Sequence, residues 1–112
     1  MRDDRQRILD ILEAIDRIEK YAHRGRSAFD SDELIQSWIV RHLQIIGEAA
    51  RALSPATHDL DPTIPWSKII GMRHILVHDY FGIDTQIVWT VVESDLSQLK
   101  KQMQAILKQI PT

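Results

Sequence analysis

The stretch DSDELIQSWIVRHLQIIGEAARALSP, residues 30–55, has both the periodicity and the ends of an amphipathic helix. Its apolar residues recur at steps of three and four, as they do on one face of an α-helix. Asp30-Ser31-Asp32-Glu33 has the form of an N-cap with a capping box, and Ser54-Pro55 stops the helix. The face predicted to point inward comprises Ile35, Trp38, Ile39, His42, Ile46, Ala49 and Leu53, with His42 as a core histidine.

The preceding segment, from about Asp3 to Arg24, has a helical face of the same kind. Charged residues occupy its other face, and Gly25 marks a break before the next helix. Two helices that follow one another across so short a connection are expected to pack antiparallel. The apolar face of this first helix comprises Ile8, Ile11, Leu12, Ile15, Ile18 and Ala22.

Two more helices are predicted after a loop that contains three prolines. Pro65 is well placed as the first residue of a shorter third helix, which runs through Val77. Phe81-Gly82 marks a turn, and Asp84 can cap a long fourth helix. The inward residues of that fourth helix are Val88, Val91, Val92, Leu96, Leu99, Met103, Ile106 and Ile110.

These segments together predict an all-α protein, an antiparallel four- to five-helix bundle in one domain over residues 1–112. The composition, 44% hydrophobic and 27% charged, is that of a soluble globular protein. No alternating pattern long enough for a strand and no internal repeat is present.

The cysteine content, the length of the apolar runs and the net charge exclude several classes of function. The chain has no cysteine, so disulfide and thiolate chemistry are excluded, and a reducing cytosol is expected. Its apolar runs are far shorter than a bilayer span, and the N-terminus lacks an export signal. A net charge of −2 and a pI near 6.2 provide no strong overall attraction for nucleic acid. Any contact with RNA or DNA would therefore be local.

The segment GMRHILVHDYFG, residues 71–82, concentrates titratable side chains in the predicted third helix. Helical geometry places Arg73 and Tyr80 on one side, while His74 and His78 form an i, i+4 pair. Arg73 and His78 are about 140° apart around an ideal helix. Either the helix ends near His78, so that the turn redirects the imidazole, or a second copy of the chain supplies the complementary residue.

These residue types suit cleavage of a phosphodiester bond without a metal. A histidine can accept the proton of a ribose 2′-hydroxyl or donate one to a leaving 5′-oxygen. A guanidinium can hold the phosphate through two hydrogen bonds and stabilise its developing charge. Asp79 can orient an imidazole. Spacing alone does not establish this chemistry, because an arginine followed by a histidine with four to six residues between them occurs three times in the chain.

The segment Gly71–Tyr80 resembles the signature of the HEPN superfamily, and more narrowly that of HepT-type toxins of HEPN/MNT toxin–antitoxin pairs. Their pattern R-x-x-x-x-H-x-Y is matched by Arg73, His78 and Tyr80. Ile45-Ile46-Gly47-Glu48-Ala49-Ala50, Trp66 and Phe81-Gly82-Ile83-Asp84 are also similar to family segments, so the likeness covers nearly the whole chain.

This resemblance implies a helical bundle that forms a homodimer, with the motif helices at a shared cleft in a bacterial or archaeal cytoplasm. It implies a metal-independent endoribonuclease without a cofactor, acting on tRNA or mRNA, with Arg73 and His78 as the catalytic pair. The implied partner is an MNT-type nucleotidyltransferase antitoxin, which transfers AMP from ATP to Tyr80 and silences the toxin. His74 replaces the small polar residue usual at that position, so it is an auxiliary candidate whose division of roles with His78 is open.

Each of these residues also has a simpler interpretation. Arg73 can be a helix arginine paired with Glu48, and His78 a helix-end histidine near the C-terminal dipole. His74 and His78 have the spacing of a metal site, but no third ligand is fixed by spacing. Tyr80 can be a core aromatic residue.

Two wider alternatives remain open at this point. The chain can be a non-catalytic helical dimer that binds and regulates a nucleotidyltransferase, because the same motif would serve as the modification target. Arg41, Arg51 and Lys68 can line a path for RNA or simply be solvated surface residues.

Overall fold

The computed structural model describes residues 2–75 and 84–111, except for the side chains of residues 74 and 75. Every regular element within these ranges is helical, which confirms the predicted all-α fold. None of these helices is both long and apolar enough to cross a lipid bilayer. The helices are α1 (Asp4–Ala22), α2 (Arg26–Ser31), α3 (Glu33–Ala52), α4 (Pro55–His58), α5 (Trp66–Ile75), α6 (Thr85–Ser94) and α7 (Leu96–Gln109).

Helix α3 is central to the bundle, since it packs against α1, α2 and α5. Two hydrogen bonds show that α1 and α3 are antiparallel. The Trp38 Nε1–H donates to the carbonyl oxygen of Arg17 at 2.8 Å, and the Ser54 hydroxyl donates to Asp4 Oδ2 at 2.5 Å. The predicted apolar faces of both helices are buried or packed against the core, and α7 also packs against α1.

Aspartate side chains accept capping hydrogen bonds at the start of three of the main helices. Asp3 caps α1 and forms a reciprocal capping box with Gln6, while Asp32 caps α3 and Asp84 caps α6. The capping box predicted for α3 is wrong. With Asp32 as the N-cap, the third helical residue is Ile35, whose side chain has no acceptor to return to the cap.

Two short helices occupy connections for which the sequence pattern predicts a break or a loop. Gly25 has φ = 90°, a left-handed conformation that glycine adopts without steric cost, and it turns the chain from α1 into α2. Helix α4 is joined to α1 through Asp4, whose carboxylate accepts hydrogen bonds from the Ser54 and Thr57 hydroxyls. Burial by itself raises the pKa of Asp4, but these hydrogen bonds outweigh burial and lower that pKa below its ordinary value.

The fourth predicted helix is divided at Asp95 into α6 and α7, which corrects the expectation of one continuous helix. The break is a bend, because the Asp95 N–H donates to Val91 O and the Asp95 carbonyl accepts from Leu99 N. Serine and aspartate favour helix ends over helix interiors, and Ser94-Asp95 stands at this junction. The apolar residues expected to point inward are buried or packed against the core on both sides of the bend.

Candidate functional site

Gly47 allows α3 and α5 to approach each other closely. A Cβ atom at this position would lie 3.0 Å from Arg73 N, Arg73 Cγ and Ile69 O. Two of these three atoms are backbone atoms of α5, which cannot move aside as a flexible side chain can. The glycine therefore sets the distance between the two helices at the level of Arg73.

Arg73 lies in an ion pair across this contact. Its Nε is 2.5 Å from Glu48 Oε2, and 25% of the Arg73 side chain is exposed. Glu48 also accepts from Arg51 Nη1 at 3.3 Å through its other oxygen, so one carboxylate is shared by two arginines. Glu48 engages Arg73 at Nε, and no other carboxylate among residues 2–75 and 84–111 is paired with that guanidinium, whose terminal nitrogens can donate to a further anion.

An open depression of about 320 Å³ lies beside this pair, at the lower end of the volume range of ligand sites. Among the described residues, the charged groups that line it belong to two arginines and to Glu48. The depression is large enough for a phosphate group and open enough to admit a polymer. Its lining residues are Arg41, Gln44, Ile45, Glu48 and Arg73.

The structure thus brings together Arg73 and Glu48, the pairing suggested by the sequence, although they are on different helices. The other residues of the predicted site lie outside what is described. They are the side chain of His74, and His78, Asp79 and Tyr80 with the turn at Phe81-Gly82. The catalytic, auxiliary and modification roles assigned to them stay predictions.

Other polar residues discussed in the sequence analysis form hydrogen bonds or ion pairs within the fold. His42 is buried, and its Nδ1 lies 2.8 Å from the Trp38 carbonyl oxygen, as expected for a satisfied core histidine. Arg51 shares Glu48, and Lys68 Nζ lies 3.1 Å from Asp95 Oδ2. Within residues 2–75 and 84–111, no three His, Asp or Glu side chains are arranged to hold a metal ion.

The sequence did not indicate how the start of α5 is fixed. Trp66 packs against His58 with ring centroids 4.6 Å apart, and its Nε1–H donates to the carbonyl oxygens of His58 and Asp61. His58 Nε2 in turn lies 2.8 Å from the carbonyl oxygen of Ala50. The end of α3 therefore anchors the helix that carries Arg73. In the sequence, the tryptophan next to the predicted N-terminus of that helix is the feature that could have indicated this anchoring.

Comparison with known proteins gives concordant matches. A family model described as "Ribonuclease HepT-like" matches residues 11–106. A Methanocaldococcus jannaschii protein named "Putative RNase MJ1380" is 36% identical over 106 residues, which cover 94% of this chain and 97% of that protein. "Probable ribonuclease HepT" of Thermococcus cleftensis is 36% identical over 100 residues, covering 88% of this chain and 91% of that protein. No solved structure matches the chain significantly.

Proposed function

The chain belongs to the HepT-like ribonuclease family, and on that premise we propose that it is a metal-independent endoribonuclease with Arg73 and His78 as its catalytic pair. The observation that carries the proposal is the arrangement of Arg73. Its guanidinium is paired at Nε with Glu48 and lines an open depression, where the described part of the chain places no second carboxylate against it.

The proposed reaction is an attack of the ribose 2′-oxygen on the neighbouring phosphorus. The bond from O2′ to phosphorus forms, the bond from phosphorus to O5′ breaks, and the products carry a 2′,3′-cyclic phosphate and a 5′-hydroxyl. His78 transfers the protons, and Arg73 stabilises the charge on the phosphate oxygens. His74 and Asp79 are auxiliary candidates, as an additional base and as a residue that orients an imidazole.

We further propose that the active form is a homodimer with two motif segments at one cleft. Arg73 and His78 are five residues apart, and an ideal helix would separate them by about 140°. A two-fold axis beside the motif would bring the arginine of one subunit towards the histidine of the other. Such a cleft would concentrate positive charge in a protein whose net charge is −2.

The biological role that fits this family is the toxin of a HEPN/MNT toxin–antitoxin module. The cognate nucleotidyltransferase would transfer AMP from ATP to the Tyr80 hydroxyl with release of pyrophosphate. The adenylate would add bulk and negative charge to the side of the helix that carries Arg73, which opposes binding of a phosphate there. Co-expression with such a transferase, followed by intact mass measurement of wild type and Tyr80→Phe, tests this part separately.

The central experiment is cleavage of total tRNA and of mRNA by the purified chain in EDTA, beside Arg73→Ala and His78→Ala. Intact mass is measured first, so that an adenylated sample is not mistaken for an inactive enzyme. We expect cleavage by wild type, loss in both variants with the fold retained, and cyclic phosphate ends on the products. Activity that survives both substitutions would contradict the catalytic assignment. An unmodified, folded dimer that leaves both RNA classes intact would favour the docking module for a nucleotidyltransferase.

A further inference from the structure

A second depression continues the first one along the outer side of α3. The two share Arg41 and Ile45, so they form one continuous surface that begins at Arg73. We call this surface the α3 groove. Its second part is lined by Asp10, Glu13, Arg17, Trp38, Arg41, His42 and Ile45.

The groove follows the helix axis. Trp38, Arg41, Ile45 and Glu48 are spaced by three or four residues, which places them in one row on the exposed side of α3. Ten residues separate Trp38 from Glu48, so this row is about 15 Å long at the helical rise per residue. That length exceeds one phosphate and suits a short run of an extended polymer.

Within the part of the chain that the structure describes, ion pairing leaves Arg41 as an available cation in the middle of this row. The three carboxylates that line the groove are each paired: Asp10 with Arg2, Glu13 with Arg17, and Glu48 with Arg73 and Arg51. Arg41 is exposed and has no ion pair among the residues that the structure describes. A polyanion that entered the groove would meet neutralised carboxylates and an unpaired guanidinium.

The far end of the groove offers an aromatic surface in a fixed orientation. The half-buried Trp38 ring is held by its hydrogen bond to the Arg17 carbonyl and by an edge contact to Tyr21, with ring centroids 5.5 Å apart. Aromatic side chains in single-strand binding proteins stack on bases without strong sequence preference. A cationic residue between an aromatic ring and a phosphate-binding arginine is the combination that such grooves use.

We propose that single-stranded RNA lies in the α3 groove, with Arg41 contacting a backbone phosphate and Trp38 contacting a base. The proposal rests on the proposed function for its starting point, the phosphate at Arg73. It adds a substrate-binding surface on one face of each subunit, outside the motif segment. RNA would then be held by contacts on α3 while the bond at Arg73 is cleaved.

Binding can be measured without cleavage, using a fluorescein-labelled single-stranded oligonucleotide of mixed sequence with 2′-O-methyl riboses. These riboses lack the 2′-hydroxyl nucleophile, so fluorescence anisotropy reports affinity alone. The variants are Arg41→Gln and, as a matched control, Lys101→Gln. Lys101 is exposed on α7 and outside the groove, and both substitutions remove one positive charge while keeping a good helix former.

We expect Arg41→Gln to weaken binding about tenfold at low salt, as for loss of one charge-assisted hydrogen bond. The dependence of log K on log salt should become shallower by about 0.7, the value for one phosphate contact with a single strand. Lys101→Gln should change neither quantity by a comparable amount. Equal effects of the two substitutions, or no binding by wild type, would overturn the proposal. The proposal would also be overturned if Arg41→Gln left RNA binding unchanged but altered subunit assembly in sedimentation, because the groove would then contact another protein subunit.

Cleavage of an all-ribose oligonucleotide by wild type, measured in parallel, separates this proposal from the proposed function. If wild type cleaves RNA but binding does not depend on Arg41, the proposal of RNA in the α3 groove is wrong and the proposed ribonuclease activity stands. If binding depends on Arg41 but wild type does not cleave RNA, the α3 groove binds RNA and the proposed ribonuclease activity is wrong.

Discussion

Gly47→Ala tests whether close helix packing sets the position of Arg73. The new Cβ would lie 3.0 Å from a backbone nitrogen and a backbone oxygen of α5, which is closer than most Cβ contacts in proteins. The helices would therefore have to separate by a few tenths of an ångström at this point. Overpacking of this kind costs about 1–3 kcal/mol, whereas replacing a helical glycine by alanine stabilises by about 0.5–1 kcal/mol.

The difference between these two effects is a net destabilisation of about 1 kcal/mol, which lowers Tm by about 4 °C for a chain of this size. Thermal unfolding followed by circular dichroism at fixed protein concentration measures it. The same separation would lengthen the contact from Glu48 to Arg73, and since a misplacement of about 1 Å costs about a hundredfold in rate, this smaller shift should lower the rate by about three- to tenfold. RNA cleavage at a temperature well below both midpoints measures that second effect.

The matched control is Ser37, a solvent-exposed residue in the same helix. The difference between Ser37→Gly and Ser37→Ala gives the helix propensity contribution without any contact to α5. If Gly47→Ala stabilised the protein by that same amount and left cleavage unchanged, the reasoning from the 3.0 Å contacts would be wrong.

Three further results are expected. Glu48→Ala should lower kcat about ten- to a hundredfold, because Arg73 loses the carboxylate that orients it. Glu48→Gln keeps an acceptor for the Nε–H and should retain more activity than Glu48→Ala. Equal kinetics of the two variants would argue against orientation of Arg73 by Glu48. Asp4→Asn should lower Tm at pH 7, and the difference from wild type should disappear in acid. A carboxylate with a lowered folded pKa contributes its full stabilisation above its unfolded pKa of about 3.9, and this contribution is lost as pH falls from there through the folded pKa. Asp32→Ala should cost about 1 kcal/mol in urea unfolding through loss of the α3 cap, whereas an unchanged midpoint would mean that the cap contributes nothing.

The long helices were predictable because each buries a continuous apolar face. In α1, Ile8, Ile11, Ile15 and Ile18 are all almost fully buried, so periodicity and burial agree. Helix α2 gives no such signal, since its six residues bury only Phe29. The bend at Asp95 was also missed, because the apolar repeat continues through it from α6 into α7.

The candidate site was predictable from the sequence only in part. The motif indicated Arg73, and opposite charge suggested Glu48, but the two residues are 25 positions apart on different helices. Their contact depends on how closely α3 and α5 approach, which is a property of the packed structure. Gly47 could have indicated this approach, because a glycine inside a helix is otherwise destabilising and calls for a packing reason.

One helix thus links stability to the proposed chemistry. The inner face of α3 forms the core with α1, Gly47 and Glu48 place Arg73, and the outer face carries Arg41. Among the described residues around Glu48, three arginines, Arg41, Arg51 and Arg73, lie near one carboxylate in a chain of net charge −2. A protein without an overall attraction for RNA can bind it only where such a local excess occurs. Substitutions on the outer face of α3 should therefore alter RNA binding with little loss of stability, whereas substitutions at Gly47 should alter both.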